Sequence, residues 1–409
     1  NVVNKLRPTL FVLGKAFEDT SDLEIIDVIE KMREMGRDTK FHGGEINYAT
    51  TDLLGNSEKY LKEKNRQQFL SACKKQNINL TMLLDSIKSF KSSKIIVVGD
   101  TILDQYAACE AIGLSAEAPV VVVKELEKKN FIGGAAIVAS HLKALETNCK
   151  FISVVGSDST AELVKKELES RMIKHKLIID SSRPTTFKKR YIVENQKLFR
   201  VSRLEDHSLK NDLEDEIISE IEKEASSADG IIISDFVYGV ITKRLLDKIY
   251  IISKKFDIKL FGDLQCSSQI GLITKFKNFS LLCPNEKEAR LSLQDKESGL
   301  ELLSRKLLLE TSCERLIMKL GAQGLIAYDR GSSDEIRSQA FPALSVNPVD
   351  VTGAGDSLLS IMAAGLSSKQ QMMTITALSC CMSALSVETM GNKPISSKSL
   401  RLYVENLMR

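Results

Sequence analysis

The chain reads as an α/β protein: a three-layer α/β/α domain on a mainly parallel sheet, carrying a small β-lid and preceded by a shorter α/β segment. Three observations predict it. Short, nearly continuous apolar runs alternate with amphipathic stretches from about residue 94 onward, as strands buried on both faces between helices require. Two longer stretches rich in β-branched residues break that alternation. Close to the carboxyl end, in "NPVDVTGAGDSLLS" at 347–360, a glycine turn opens an apolar helix.

In chain order, Pro8 to about Lys40 holds one α/β unit. The strand "TLFVLG" is followed by a helix opened by Ser21, with Glu24 at the capping-box spacing, and closed by Gly36. From "HGGEINYATTDLLGNS" to about Phe90 the sequence is polar and lysine-rich, helical in pieces and linker-like, so the segment is taken as 1–90 and the main domain as 91–409. The main domain starts sharply at "KIIVVGD". Strands are expected at 95–99, 151–155, 231–234, 259–262, 280–283 and 315–319, and helices at 134–145, 159–172, 209–224 and 242–255. The interruptions, "APVVVVKELEKKNF" and "TTFKKRYIVENQKLFRVSR", place lid strands around 105–131 and 183–204, the second pair turning at Glu194-Asn195-Gln196. In such sheets ligands bind beyond the carboxyl ends of the strands.

Composition narrows the function. With 409 residues, 43% hydrophobic and 27% charged, the chain is globular and large enough for one large and one smaller domain. Lysine plus arginine (57) nearly balance aspartate plus glutamate (54), and no long basic run tracks a phosphate backbone, so nucleic acid is not expected as a partner. The eight cysteines are scattered without a CxxC and read as reduced thiols of a cytoplasmic protein. No apolar run approaches the roughly 18 residues that span a bilayer, and the amino terminus has no signal-peptide pattern. The chain opens on Asn1 rather than methionine, which suggests a processed or partial product.

The glycine turn carries the chemistry. Gly353 and Gly355 let the backbone turn tightly and aim the amides of Ala354, Gly355 and Asp356 at one spot, which the positive end of the following helix also faces. That makes an anion hole. Asp356, in the first turn, could take the proton from a hydroxyl attacking a γ-phosphate. An isolated GAGD would more often be a capped helix after a turn, but Asp350 and Thr352 beside it sharpen the signal. There is no GxxxxGK[ST], no HRD and DFG in kinase order, and no GxGxxG after the first strand. The four histidines have no partners at zinc-ligand spacing.

"DVTGAGDS" resembles the carboxyl-terminal signature of the ribokinase, or phosphofructokinase B, family of carbohydrate kinases, and four further motifs follow the family's order between about Lys94 and Ser396. The resemblance implies a ribokinase-like fold, ATP as co-substrate, Mg2+, and a monovalent cation as a further candidate. It assigns the base to Asp356 and sugar binding to Asp104 of "GDTILDQY" and to Gly133 and Gly134 of "FIGGAAIVASHLKALE". Asn285 and Glu288 of "CPNEKEA" fall near magnesium and phosphates, and Lys319, Gly321 and Gly324 of "KLGAQG", with Thr352, on the nucleotide side. Within the family the lid segments are similar to the kinase half of bacterial bifunctional heptose phosphate kinase/adenylyltransferases, which implies a heptose 7-phosphate phosphorylated at its anomeric hydroxyl. Thr186, Lys188 and Arg190 share one strand face, with Arg200 on the returning strand, and Lys188 and Arg190 are candidate ligands of that phosphate. They would serve equally as a solvated row of charges protecting a sheet edge. Ile137 departs from the family's asparagine, Tyr238 from the heptose kinases' lysine, and "GDLQCSS" from their Asp-Pro-Lys, so another sugar, a nucleoside, or a binding scaffold without turnover stay open. Residues 1–90 lack the His-x-Gly-His of nucleotidyl transfer, His42 standing alone, and resemble at most the tail of such a domain. Relatives pair through the lid, implying a homodimer.

Overall fold

The computed structural model describes residues 8–13, 23–41, 58–194, 196–266, 269–331 and 335–409. The chain divides into two compact units, Asn1–Tyr60 and Leu61–Arg409. In the smaller one, strand β1 (Leu10–Leu13), helix α1 (Leu23–Glu34) and strand β2 (Asp38–Phe41) form a βαβ unit whose strands pair in parallel. The strand β2 has no counterpart in the sequence reading. Met32 on α1 is fully buried, and Gly36 ends the helix at φ +66°. Ser21 and His42 lie outside the described residues.

The boundary is the main difference from the sequence reading, which placed it near residue 90. Helices α2 (Glu58–Lys75) and α3 (Leu80–Ser89) pack into the larger unit. Phe69, Ala72 and Cys73 on α2 and Leu83 and Ile87 on α3 are buried in its core, and Asn79 caps α3 by accepting from the Met82 amide. Lysines and other polar residues hide this pattern in α2, where they cover most of the helix surface and leave only a narrow apolar stripe, and α3 is a short helix of ten residues beside it.

The larger unit is built on nine strands: β3 (Lys94–Gly99), β6 (Asn148–Val155), β7 (Lys174–Ile179), β10 (Gly230–Asp235), β11 (Lys259–Leu264), β12 (Leu281–Leu282), β13 (Arg315–Lys319), β14 (Leu325–Arg330) and β15 (Ile336–Phe341). Their spatial order is β15-β14-β13-β12-β11-β10-β3-β6-β7, parallel from β13 to β7, with β14 and β15 added antiparallel. Each predicted strand is present. Period-two alternation divides the core into two layers: Ile95 and Val97 of β3 face one apolar cluster, Ile96 and Val98 the other. On the first face lie α2, α3, α4 (Ala135–Ala144), α5 (Ser159–Ser170), α10 (Ala354–Ser367), α11 (Met372–Ser386) and α12 (Ser397–Met408); on the second α6 (Asn211–Ala225), α7 (Lys243–Phe256), α8 (Glu286–Leu293) and α9 (Leu300–Thr311). This is the three-layer α/β/α arrangement that the sequence predicts.

The lid is a separate four-stranded sheet in the order β5-β4-β8-β9, from β4 (Thr101–Leu114), β5 (Val121–Gly134), β8 (Thr186–Val193) and β9 (Gln196–Arg203). β4 pairs antiparallel with β5 and parallel with β8, which sets Asp104 opposite Lys188 and Tyr106 opposite Arg190. All eight cysteines are unpaired thiols, seven of them buried. Among the described residues no helix is long and apolar enough to cross a membrane.

Candidate active site

The strand order reverses between β3 and β10, and a crevice opens where connections leave in opposite directions. Asp100, at the end of β3, is buried and accepts from the Phe236 amide at 2.7 Å, which fixes Phe236 in the wall of the crevice. Burial, and then the neighbouring Asp235, push the Asp100 carboxyl up to about 7. The cleft that follows has a volume of about 610 Å³. It runs from the lid, at Asp104, Lys188, Arg190 and Arg200, past Asp356 to Lys319, Gly321 and Gly324. An apolar end is lined by Leu325, Pro342, Leu344, Val346, Ala384 and Val387.

Positions far apart in the sequence thus meet. Gly134, Asn285, Glu288, Thr352, Gly353, Ala354 and Gly355 all line the same cleft. Gly133 is set back and packs on Asp104, where a Cβ would come 2.6 Å from Oδ2. Gly353 caps α10 at φ +85°, a conformation costly for any other residue. Ala354, Gly355 and Asp356 follow as the first turn, whose amides have no partner four residues back, although the Ala354 amide donates to the Val351 carbonyl at 3.4 Å.

Asp356 is 4% exposed and accepts a 2.8 Å hydrogen bond on Oδ1 from Gln265, which lies just past β11. Burial, and then the charge of Asp263, push its carboxyl up to about 7, against the pull of Lys319 and Gln265. Lys319, at the end of β13, donates to both oxygens of the fully buried Asp263, at 2.8 and 2.9 Å. Burial opposes the Lys319 charge, yet the Asp263 and Glu288 carboxylates outweigh it and hold the ammonium firmly protonated. A Cβ on Gly355 would lie 3.2 Å from Lys319 Nζ, so this cation stands beside the glycine turn.

Asn285 and Glu288 form a reciprocal capping box at the start of α8: Asn285 Oδ1 accepts from the Glu288 amide at 2.9 Å, and Glu288 Oε2 from the Asn285 amide at 2.8 Å. One oxygen of each is committed, and among the described residues no group of three or more His, Cys, Asp or Glu is arranged to hold a metal. That donor set fits a magnesium ion carried by nucleotide phosphates and reached through its water shell.

At the lid end, Arg190 pairs with Asp104. Lys188 is 3% exposed, with Nζ 5.1 Å from the Tyr238 ring centroid and 5.6 Å from that of Phe236. Two cations expected to bind a phosphate are therefore already engaged, and Arg200 has no ion-pair partner among the described residues. Ile137 is buried in the core. Just before the glycine turn, Asp350 accepts from Tyr106 and Lys197, both at 2.7 Å, from the Thr352 amide at 3.0 Å and from the Gly391 amide at 3.2 Å. Burial works to raise its pKa, but Lys197 and the other donors hold it at about 2. Sequence reasoning missed Asp263, Gln265, Lys197 and Asn392. Asp263 and Gln265 had a signal, since both stand at the carboxyl end of an expected strand, whereas nothing in the polar loop "ETMGNKP" marks Asn392.

A sequence profile described as pfkB family carbohydrate kinase matches residues 92–398. The bifunctional protein HldE of Campylobacter jejuni is 28% identical over 318 residues, 77% of this chain and 65% of that protein. HldE of Helicobacter hepaticus is 32% identical over 287 residues, 68% of this chain and 57% of that protein. The chain thus spans less than two thirds of the length of these relatives. In three dimensions it is similar to phosphofructokinase-2 from Escherichia coli solved with substrates and products, at a TM-score of 0.65 and 16% identity over 78% of this chain and 100% of that one. It is also similar to Arabidopsis thaliana ribokinase solved with ribose and ATP, at a TM-score of 0.60 and 16% identity over 76% of this chain and 99% of that one.

Proposed function

The chain belongs to the pfkB family of carbohydrate kinases, and from that premise we propose that it transfers the γ-phosphoryl group of ATP to a sugar that already carries a phosphate, a heptose 7-phosphate phosphorylated at its anomeric hydroxyl being the favoured acceptor. The observation that carries the reading is Asp356: a buried carboxyl with a pKa pushed up to about 7, in the first turn of a helix that opens on the cleft at Gly353, Ala354 and Gly355. A base poised near neutrality can accept the hydroxyl proton as the phosphoryl group moves. The amides of Ala354, Gly355 and Asp356, with Lys319, offset charge on the transferred group. Magnesium bound with the nucleotide would supply charge neutralisation, with Asn285 and Glu288 holding its waters. A monovalent cation is a further candidate, although the Lys197 ammonium already sits on Asp350. Asp104 would bind sugar hydroxyls, and the apolar end of the cleft suits a nucleotide base. The HldE relatives favour the heptose acceptor. ATP as co-substrate and unpaired thiols favour the cytoplasm.

The test is ADP release across heptose phosphates, hexose phosphates, free sugars and nucleosides. Turnover with one phosphorylated sugar is expected. Arg200→Ala should then raise KM for that acceptor by about 10- to 100-fold, the range of one charged hydrogen bond, and leave a non-phosphorylated analogue unaffected. Turnover of a nucleoside or plain hexose instead would overturn the heptose reading. ATP binding without turnover of any acceptor would point to the scaffold.

A homodimer through the lid follows from the same family reading. Ile112, Leu114, Val120, Leu126 and Phe199 of the lid region are all more than half exposed, a large apolar area for one copy to leave in water. Light scattering should give twice the chain mass, and Phe199→Glu should shift it toward the monomer. A monomeric wild type at micromolar concentration would exclude this assembly.

A further inference from the structure

We infer that Asn392 binds a hydroxyl group of the sugar acceptor, an assignment that rests on the kinase reading and extends it to a residue outside every recognised motif. Asn392 follows α11 and lines the cleft, yet is only 6% exposed. Among the described residues its Oδ1 accepts no hydrogen bond. Buried acceptors are nearly always satisfied, and an orphan on a residue that lines a cleft points to a donor that the cleft binds.

Its position specifies what that is. A Cβ on Gly353 would lie 2.4 Å from Asn392 Oδ1, and a Cβ on Gly133 would lie 3.2 Å from Nδ2 and 2.6 Å from Asp104 Oδ2. The carboxamide therefore bridges the glycine beside Asp104 and the glycine that opens the anion hole. With Nδ2 on the side of the Asp104 carboxylate, the oxygen is left for a donor near Gly353. A carbonyl oxygen accepts from hydroxyl or amine donors and repels the acceptor-only oxygens of a phosphoryl group. A hydroxyl of a polyhydroxylated acceptor, next to the one that attacks, meets both conditions.

The group is also held in place. The Gly391 amide donates to Asp350 at 3.2 Å, and Gly391, at φ +78°, packs so closely on Phe131 that a Cβ would come within 2.5 Å of the ring. The residue before Asn392 is thus pinned on two sides, which fixes the backbone that carries the carboxamide.

The test compares Asn392→Ala and Asn392→Leu in the full chain, with Lys129→Ala at an exposed lid ion pair as control. Without ligand, the Asn392 variants should melt within about 3 °C of wild type or above it, because no hydrogen bond to Oδ1 is lost. With the acceptor identified by turnover, kcat/KM should fall about 10- to 100-fold while KM for ATP stays within about twofold. A deoxy analogue lacking the bonded hydroxyl should show that loss in wild type and no further loss in Asn392→Ala. Melting lowered by more than about 6 °C in both variants would make the carboxamide structural and overturn the assignment, as would unchanged kcat/KM or losses that add at every hydroxyl. Wild-type inactivity on all acceptors would sink the kinase reading itself, whereas an active wild type with unaffected variants would sink this assignment alone.

Discussion

Replacing Asp356 with asparagine is expected to lower the rate of phosphoryl transfer by roughly 10³-fold, within the range that a positioned general base contributes. The substitution keeps the side chain's shape and the oxygen that accepts from Gln265, so ATP affinity should stay within about twofold. The wild-type rate should rise with pH and level off above about 7, because the base must be deprotonated and its pKa is pushed up to about 7 by burial and by Asp263. The same shift has a thermodynamic sign. With its folded pKa above that of the unfolded chain, Asp356 contributes stability that is fully present below the ordinary aspartate range and is lost as pH rises through 7. A carboxamide at this position has no proton to lose, so the Asp356→Asn variant should melt above wild type at pH 8 and close to it at pH 4. A rate loss below tenfold, or a pH profile without the limb near 7, would remove Asp356 from the role of base.

The largest stability effect is expected from Lys319→Met. It leaves the Asp263 carboxylate, which has no solvent exposure, without the ammonium that holds both its oxygens. Breaking a buried ion pair from one side costs about 3–5 kcal/mol, so a clear fall in the urea midpoint is predicted. Adding Asp263→Leu should recover most of that loss, since removing both charges avoids the unpaired one. Turnover should remain low in the double variant, because the cation beside Gly355 is still missing. Equal instability of the single and double variants would show that Lys319 matters to the fold through its packing rather than its charge.

How much of the fold is legible in the sequence follows from the range of the interactions involved. The strands β3, β6, β10, β11 and β13 are readable because burial on both faces writes short apolar runs into the chain. The glycine turn is readable for a local reason too, since Gly353, Gly355 and Asp356 stand within one helical turn. The lid hairpin turning at Glu194 is set by two adjacent strands of matching length. Helices α2 and α3 are less legible, because the buried stripe of Phe69 and Cys73 in α2 is narrow and surrounded by polar residues, and α3, which buries Leu83 and Ile87, is only ten residues long.

Contacts among neighbouring residues therefore wrote the α/β class, the lid strands and the glycine turn that opens α10 into the chain itself. Which side chains share the cleft was settled only when the strands and helices came together. Lys319 meets Asp263 across β12, Arg190 is drawn onto Asp104 by the register of β8 on β4, and Asn392 arrives beside Gly353 from the far side of α11. These meetings depend on strand order, register and the close packing of two core layers, which are set by the sum of many weak contacts and leave no mark at the positions they join.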